Sequence, residues 1–239
     1  TGAAAVVSNL SATVATTALV LQDEVPSSAD KGFTQVLKEK FIEGGAAFMG
    51  IVLLCLILGL AVAIERIVYL NLASTNSTKL KQRVEDALAS GGVEAAKEVC
   101  RNTKGPVASI YYQGLDRAGE SLEAAEKAVV AYGGVQMGQL EKNVSWLTLF
   151  IATAPMLGFM GTVIGMIQAF EKISAVGNLS ASLIAGDIQV ALLTTVFGLI
   201  VAIILQVFYN YIIAKIDSII NDMEDSSIAL IDMLVEYKK

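Results

Sequence analysis

Three stretches of the chain, 44–64, 143–170 and 188–214, contain no Asp, Glu, Lys or Arg. Each can cross a bilayer, whose hydrocarbon core takes about 20 apolar residues in helical form. Their apolar residues do not alternate over segments of about 10, as the strands of a membrane barrel would. The pattern therefore predicts three transmembrane helices. Beyond the third, Ile216, Ile219, Ile220, Met223, Ile228, Leu230, Ile231 and Leu234 keep helical spacing against Asp217, Asp222, Glu224, Asp225 and Asp232. The third helix is thus expected to run on into water. An apolar stripe that long needs a partner helix, and self-association is its simplest source.

Between the first two spans, 79–88 and 93–100 read as helices separated by Gly91-Gly92; Gly105-Pro106 breaks the chain and 107–118 resumes it. From Leu122 a stripe of Ala125, Val129, Tyr132, Val135 and Leu140 leads towards the second span, which predicts one long helix. Gly133-Gly134 within it costs about 2 kcal/mol relative to alanine, so close packing is expected there. Phe33, Val36, Leu37 and Phe41 share one face of 32–43. That short amphipathic helix either lies in the outer interface or extends the first span. The predicted order is an exported tail or signal-peptide remnant (1–31), the amphipathic helix (32–43), a first transmembrane helix (44–72), and a helical domain (73–142). A second transmembrane helix (143–170), a short connector (171–187), a third (188–214) and a C-terminal helix (215–239) follow.

Composition agrees with a membrane protein: 54% of the 239 residues are hydrophobic and the mean hydropathy is +0.62, above the range of soluble domains. Arg66, Lys79, Lys81, Arg83, Lys97, Arg101, Lys104, Arg117, Lys127 and Lys142 all fall between the first two spans, whereas 171–187 holds only Lys172. The positive-inside bias therefore puts the long loop and the C-terminus in the cytoplasm, and the N-terminus and short connector outside. A net charge of −6 without a basic cluster excludes nucleic acid as a partner. There is no histidine, and the two cysteines, Cys55 and Cys100, lie in different segments. That leaves no zinc set, nucleophile–base pair or disulfide framework. No phosphate-binding loop occurs. No enzyme, cofactor or metal is expected.

The spans are not uniformly greasy. Pro155, Gly158, Thr162, Gly165 and Ala169 share one face of the second, and Ala191, Thr195, Gly198, Ala202, Gln206 and Tyr209 one face of the third. Small residues at three- and four-residue spacing allow close approach in lipid. A lone membrane threonine commonly bonds back to its own helix. Two of them on two small faces predict a shared polar interface or pore lining. Thr162, Thr195 and Gln206 are the expected lining. Pro155, Gly158, Gly161, Gly165, Ala191, Gly198 and Ala202 are the expected surface for a partner helix. No acid lies within any span, so if the chain conducts protons, a partner should supply the acid. Asp187 sits at the outer mouth of the third span as an interfacial charge, and Glu65-Arg66 is expected to anchor the inner end of the first.

Three features together resemble the MotA/TolQ/ExbB proton-channel family, and within it the ExbB branch. One is Ala154-Pro155-Met156-Leu157-Gly158 followed by Gly161-Thr162-Val163 and Gly165. Another is Ala191-Leu192-Leu193-Thr194-Thr195 with Gly198-Leu199, ending in Tyr209-Asn210. The third is the order of one span, a long cytoplasmic domain and a two-span hairpin. The resemblance implies an all-α membrane protein of the bacterial inner membrane, with long helical cytoplasmic extensions. It further implies a homo-pentameric ring around a dimer of an ExbD-like single-span subunit bearing an essential aspartate. Proton flow would move one against the other and energise a TonB-like protein for outer-membrane import. Thr162 and Thr195 match the family's pore-facing threonines. Val190 stands where these proteins often carry glutamate, and Ile204 where they often carry proline; Gln206 is a nearby polar substitute. A TolQ-like, gliding or flagellar stator-type motor is the alternative within the class, and a passive membrane scaffold the alternative outside it. A solute transporter is disfavoured, because three spans hold no inverted repeat.

Overall fold

The computed structural model describes residues 46–74, 76–176 and 181–238, and every regular element among them is an α-helix. The elements are α1 (Ala46–Ala73), α2 (Ser77–Arg101), α3 (Pro106–Arg117), α4 (Leu122–Leu140), α5 (Val144–Val176) and α6 (Ala181–Tyr237). The tail and the amphipathic helix expected at 1–31 and 32–43 lie outside the described residues. Three helices are long and apolar enough to cross a membrane; α1, α5 and α6 carry 46–64, 144–170 and 188–214 of the three uncharged stretches.

Local chemistry sets the boundaries. Asn76 accepts the Lys79 amide at 3.1 Å and opens α2. Ser121 accepts the Ala124 amide at 3.0 Å and opens α4. These side chains supply acceptors for first-turn amides that have no helical partner. Pro106 starts α3, where its missing N–H is harmless. The helical path of α2 is broken at Gly92, whose φ of 71° belongs to the left-handed region.

The continuous helix expected from Leu122 into the second span does not form. A turn over 141–143 separates α4 from α5, with Asn143 at φ 66°; asparagine is one of the few side-chain-bearing residues that adopt this conformation readily. The carbonyls left without helical donors are met from α1. Arg66 is only 2% exposed, and its Nη2 donates to the Leu140 carbonyl at 2.7 Å and the Gln139 carbonyl at 3.2 Å. Its guanidinium stacks 4.5 Å from the Tyr69 ring centroid. The anchor expected at Arg66 takes the form of a buried clasp between the end of the first span and the root of the second.

The lower end of α6 corrects a second expectation. Ile216, Ile219, Met223, Leu230 and Leu234 are buried against helices of the same chain, since α2, α3 and α4 all pack on α6. The partner for the stripe is thus supplied in cis, and only Ile228 of it stays largely exposed, at 65%. A Cβ on Gly114 would lie 2.6 Å from both Leu230 and Val129, so α3 is wedged between α4 and α6. Among the described residues the close packing expected at Gly133-Gly134 is absent: nothing lies within 4 Å of a Cβ built there or at Gly138. Lys97 of α2 pairs with Asp116 of α3 at 2.9 Å. This partner holds the Asp116 carboxyl below its usual range.

Gly114→Val should lower the stability of the lower bundle by about 1–3 kcal/mol, the range for overpacking, measured by thermal melting in detergent. Burial pushes the Cys100 thiol up to about 12, so it stays protonated and unreactive at neutral pH. Maleimide should label Cys100 only after denaturation.

Candidate functional site

The helices α5 and α6 run antiparallel and approach through small residues. A Cβ on Gly198 would sit 2.6 Å from the Ala154 carbonyl oxygen and 3.2 Å from Gly158 Cα. One on Gly158 would meet the Thr194 carbonyl oxygen at 2.9 Å, and one on Gly165 would meet Ala191 Cβ at 2.8 Å. The backbones therefore touch, and glycine alone fits at 158 and 198. These residues, assigned from sequence to a partner helix, are consumed by the seam between α5 and α6 of one chain. Gly161 adds a contact to α1, its Cβ position lying 3.0 Å from Phe48. Pro155 and Ala202 stay half-buried at the margin of the seam.

Where the backbones touch, hydroxyls gather. Thr162 of α5 and Thr195 of α6 hydrogen-bond each other through their Oγ1 atoms. Thr162 also donates across the seam to the Ala191 carbonyl at 3.0 Å, a shorter contact than the 3.5 Å to Gly158 in its own helix. Thr195 Oγ1 lies 3.1 Å from the Gly158 carbonyl. The two threonines chosen from sequence are thus brought together, and both remain half-buried. A third, passed over, completes the cluster. Thr194 is 2% exposed, with Oγ1 2.7 Å from the Ala191 carbonyl and 3.2 Å from the Gly158 carbonyl. Its space exists because residue 161 is glycine: a Cβ there would fall 2.5 Å from Thr194 Oγ1. The signal that could have found it is a second small-and-apolar register on α6, Ala191, Thr194, Gly198, Val201 and Leu205, all buried.

Gln206 does not join the cluster. It is exposed and donates from Nε2 to Asn210 Oδ1 at 3.0 Å, one turn further along the same helix. On α6, Thr195, Ala202, Gln206 and Asn210 follow one another at helical spacing, so the polar face continues towards Lys215. At the other end, Lys172 of α5 pairs with Asp187 of α6, 2.8 Å from each carboxylate oxygen. Among the described residues no group of three or more His, Cys, Asp or Glu is placed to hold a metal.

Around this seam the remaining faces of the three long helices expose a belt of large apolar side chains. Ile57, Phe159, Ile167, Ile203 and Val207 are each more than half exposed, as a lipid-facing surface requires. The arrangement defines a multi-pass helical membrane protein with a hydroxyl-rich interhelical seam. Residues 102–225 match the model of the MotA/TolQ/ExbB proton channel family, and the chain belongs to that family. It is most like ExbB. An ExbB homologue of Methanothermobacter thermautotrophicus, described as a biopolymer transport protein, is 35% identical over 70% of this chain and 60% of its own length. The biopolymer transport protein ExbB of Xanthomonas campestris is 34% identical over 45% of this chain and 46% of its own. That of Neisseria meningitidis is 27% identical over 74% of this chain and 86% of its own. The chain thus spans about half the length of the first two. Proteins of this family are channel and transport subunits rather than enzymes.

Gly198→Val should force the backbones apart and disperse the cluster. The expected result is a loss of about 2 kcal/mol or more, as overpacking predicts, read as a lower melting temperature of the purified protein.

Proposed function

We propose that this chain is the ring-forming subunit of a proton-driven motor in the bacterial inner membrane. Five copies surround a dimer of an ExbD-like single-span subunit. Proton flow along their contact moves one against the other and energises a TonB-like protein for import across the outer membrane. The loop bearing α2 to α4 and the C-terminus are cytoplasmic, and the N-terminus is periplasmic.

The observation that carries this reading is a polar seam without an acid. Thr162, Thr194 and Thr195 converge on two carbonyls, inside spans that hold no carboxylate and no histidine. Hydroxyls orient and relay protons but do not store one at neutral pH, and a proton path needs a titrating group or a water wire. The partner's acid supplies it, and Thr162 and Thr195 are the groups it meets. Pro155 and Ala202, left half-buried beside them, receive the partner helix. Gln206 and Asn210 continue the polar face beyond the cluster. The identity shared with proteins named biopolymer transport protein ExbB supports import as the work done.

The test is proton flux and subunit count of the chain reconstituted with its single-span partner. Thr162→Val and Thr195→Val should leave assembly intact and cut flux by about tenfold, the effect of losing roughly 1.4 kcal/mol of hydrogen bonding. Undiminished flux in both variants would remove these threonines from the pathway. A wild-type assembly that moves no protons would leave a passive scaffold.

A further inference from the structure

The hydroxyl cluster has a countable number of protons. Each threonine hydroxyl donates one and accepts up to two hydrogen bonds, and each carbonyl offers two lone pairs. The Gly158 and Ala191 carbonyls lie inside continuous helices, so each already accepts the amide four residues on. One lone pair remains on each. Two carbonyl positions and the link between Thr162 and Thr195 therefore make three acceptor positions for three hydroxyl protons. Thr194 fills one carbonyl, Ala191 at 2.7 Å or Gly158 at 3.2 Å. Thr162 and Thr195 fill the other with one proton and share their second between them.

That shared proton is the one that can turn away without stripping a buried carbonyl. We infer that Thr194 is a positioning residue: by occupying one carbonyl it leaves the Thr162–Thr195 pair a single proton free to rotate, so the pair receives the partner's acid in either protonation state. Facing a neutral acid, the pair keeps its proton between the two hydroxyls and accepts the acid's O–H. Facing a carboxylate, the same proton turns outward and donates. The change is a rotation about one C–O bond; no covalent bond forms or breaks. Without the Thr194 hydroxyl both remaining protons are held by carbonyls. The pair is then an acceptor only, suited to the neutral acid and repelling the carboxylate.

The surroundings keep this arithmetic closed. Among the described residues of the three uncharged stretches, Cys55 of α1 and Tyr209 of α6 are the titratable side chains that pack against the core. Lys172 and Asp187 pair with each other towards one end, and Arg66 is bound to the root of α5 at the other. Among the described residues none of these hydrogen-bonds to the three threonines.

The inference rests on the proposed meeting of the threonine pair with a partner acid, and the test separates the two. The complex with the single-span partner, its aspartate carboxyls labelled with carbon-13, is titrated by infrared spectroscopy alongside proton flux. Thr194→Val keeps both half-buried hydroxyls and nearly the same shape. It should raise the apparent pKa of the acid by about one unit, as loss of a hydrogen bond to the charged form does, and slow proton release. Thr194→Ser should titrate as the wild type. A packing role predicts the reverse order, with valine tolerated better than serine. If Thr194→Val titrates and conducts like the wild type, or lowers the pKa, while Thr195→Val shifts it, the positioning role is overturned and the meeting with the acid stands. If neither substitution shifts the titration, both are overturned.

Discussion

The contact of two backbones at Gly158 and Gly198 governs the rest of this molecule. In lipid no hydrophobic force pulls helices together, so packing and interhelical hydrogen bonds must do it. Both need short distances. With 2.6 Å separating a Cβ at 198 from the Ala154 oxygen, any larger residue would hold α6 away from α5. At that greater separation Thr195 could not reach the Gly158 carbonyl, nor Thr162 the Ala191 carbonyl. The glycines are therefore the condition for the hydroxyl cluster, and the hydroxyls in turn fix the register that the glycines permit.

Away from the seam, two features hold the membrane helices to the lower bundle. Arg66 places a charged group where α4 ends and α5 begins, satisfying two carbonyls that the turn at Asn143 exposes. A guanidinium, planar and multiply donating, suits this task better than an ammonium. The other feature is α6, which belongs to both regions. Its upper part forms the seam with α5, and its lower part is the core element against which α2, α3 and α4 pack.

Much of this was legible from residue spacing. Uncharged length identifies three spans, and small residues with threonine identify the faces that meet. What could not be read reflects non-local packing. The apolar stripe from Ile216 to Leu234 shows that a partner is needed, but periodicity does not say whether it comes from the same chain. The glycines reveal a close approach without naming the approaching helix, which is α6 rather than another protein's. Thr194 was obscured because it follows Ala191 by three residues while Thr195 follows by four, and both intervals suit one helical face. Gly133-Gly134 shows the opposite failure: its helical cost implies contact, and the described residues provide none there. The break before α5 hangs on one asparagine whose left-handed conformation no hydrophobic pattern records.

The continuity of α6 has a mechanical meaning. It carries isoleucine at position 204 and no proline anywhere in its 57 residues, so the commonest cause of a sharp kink is missing. From Gly198 to Tyr237 it reaches roughly 58 Å at 1.5 Å per residue. Rocking about the glycine fulcrum by about 5° would sweep its far end through roughly 5 Å, the rise of one helical turn. A sub-ångström adjustment among the three hydroxyls thus sits at the short arm of a lever. The long arm, sheathed by α2, α3 and α4, would carry that small displacement into the lower bundle, magnified.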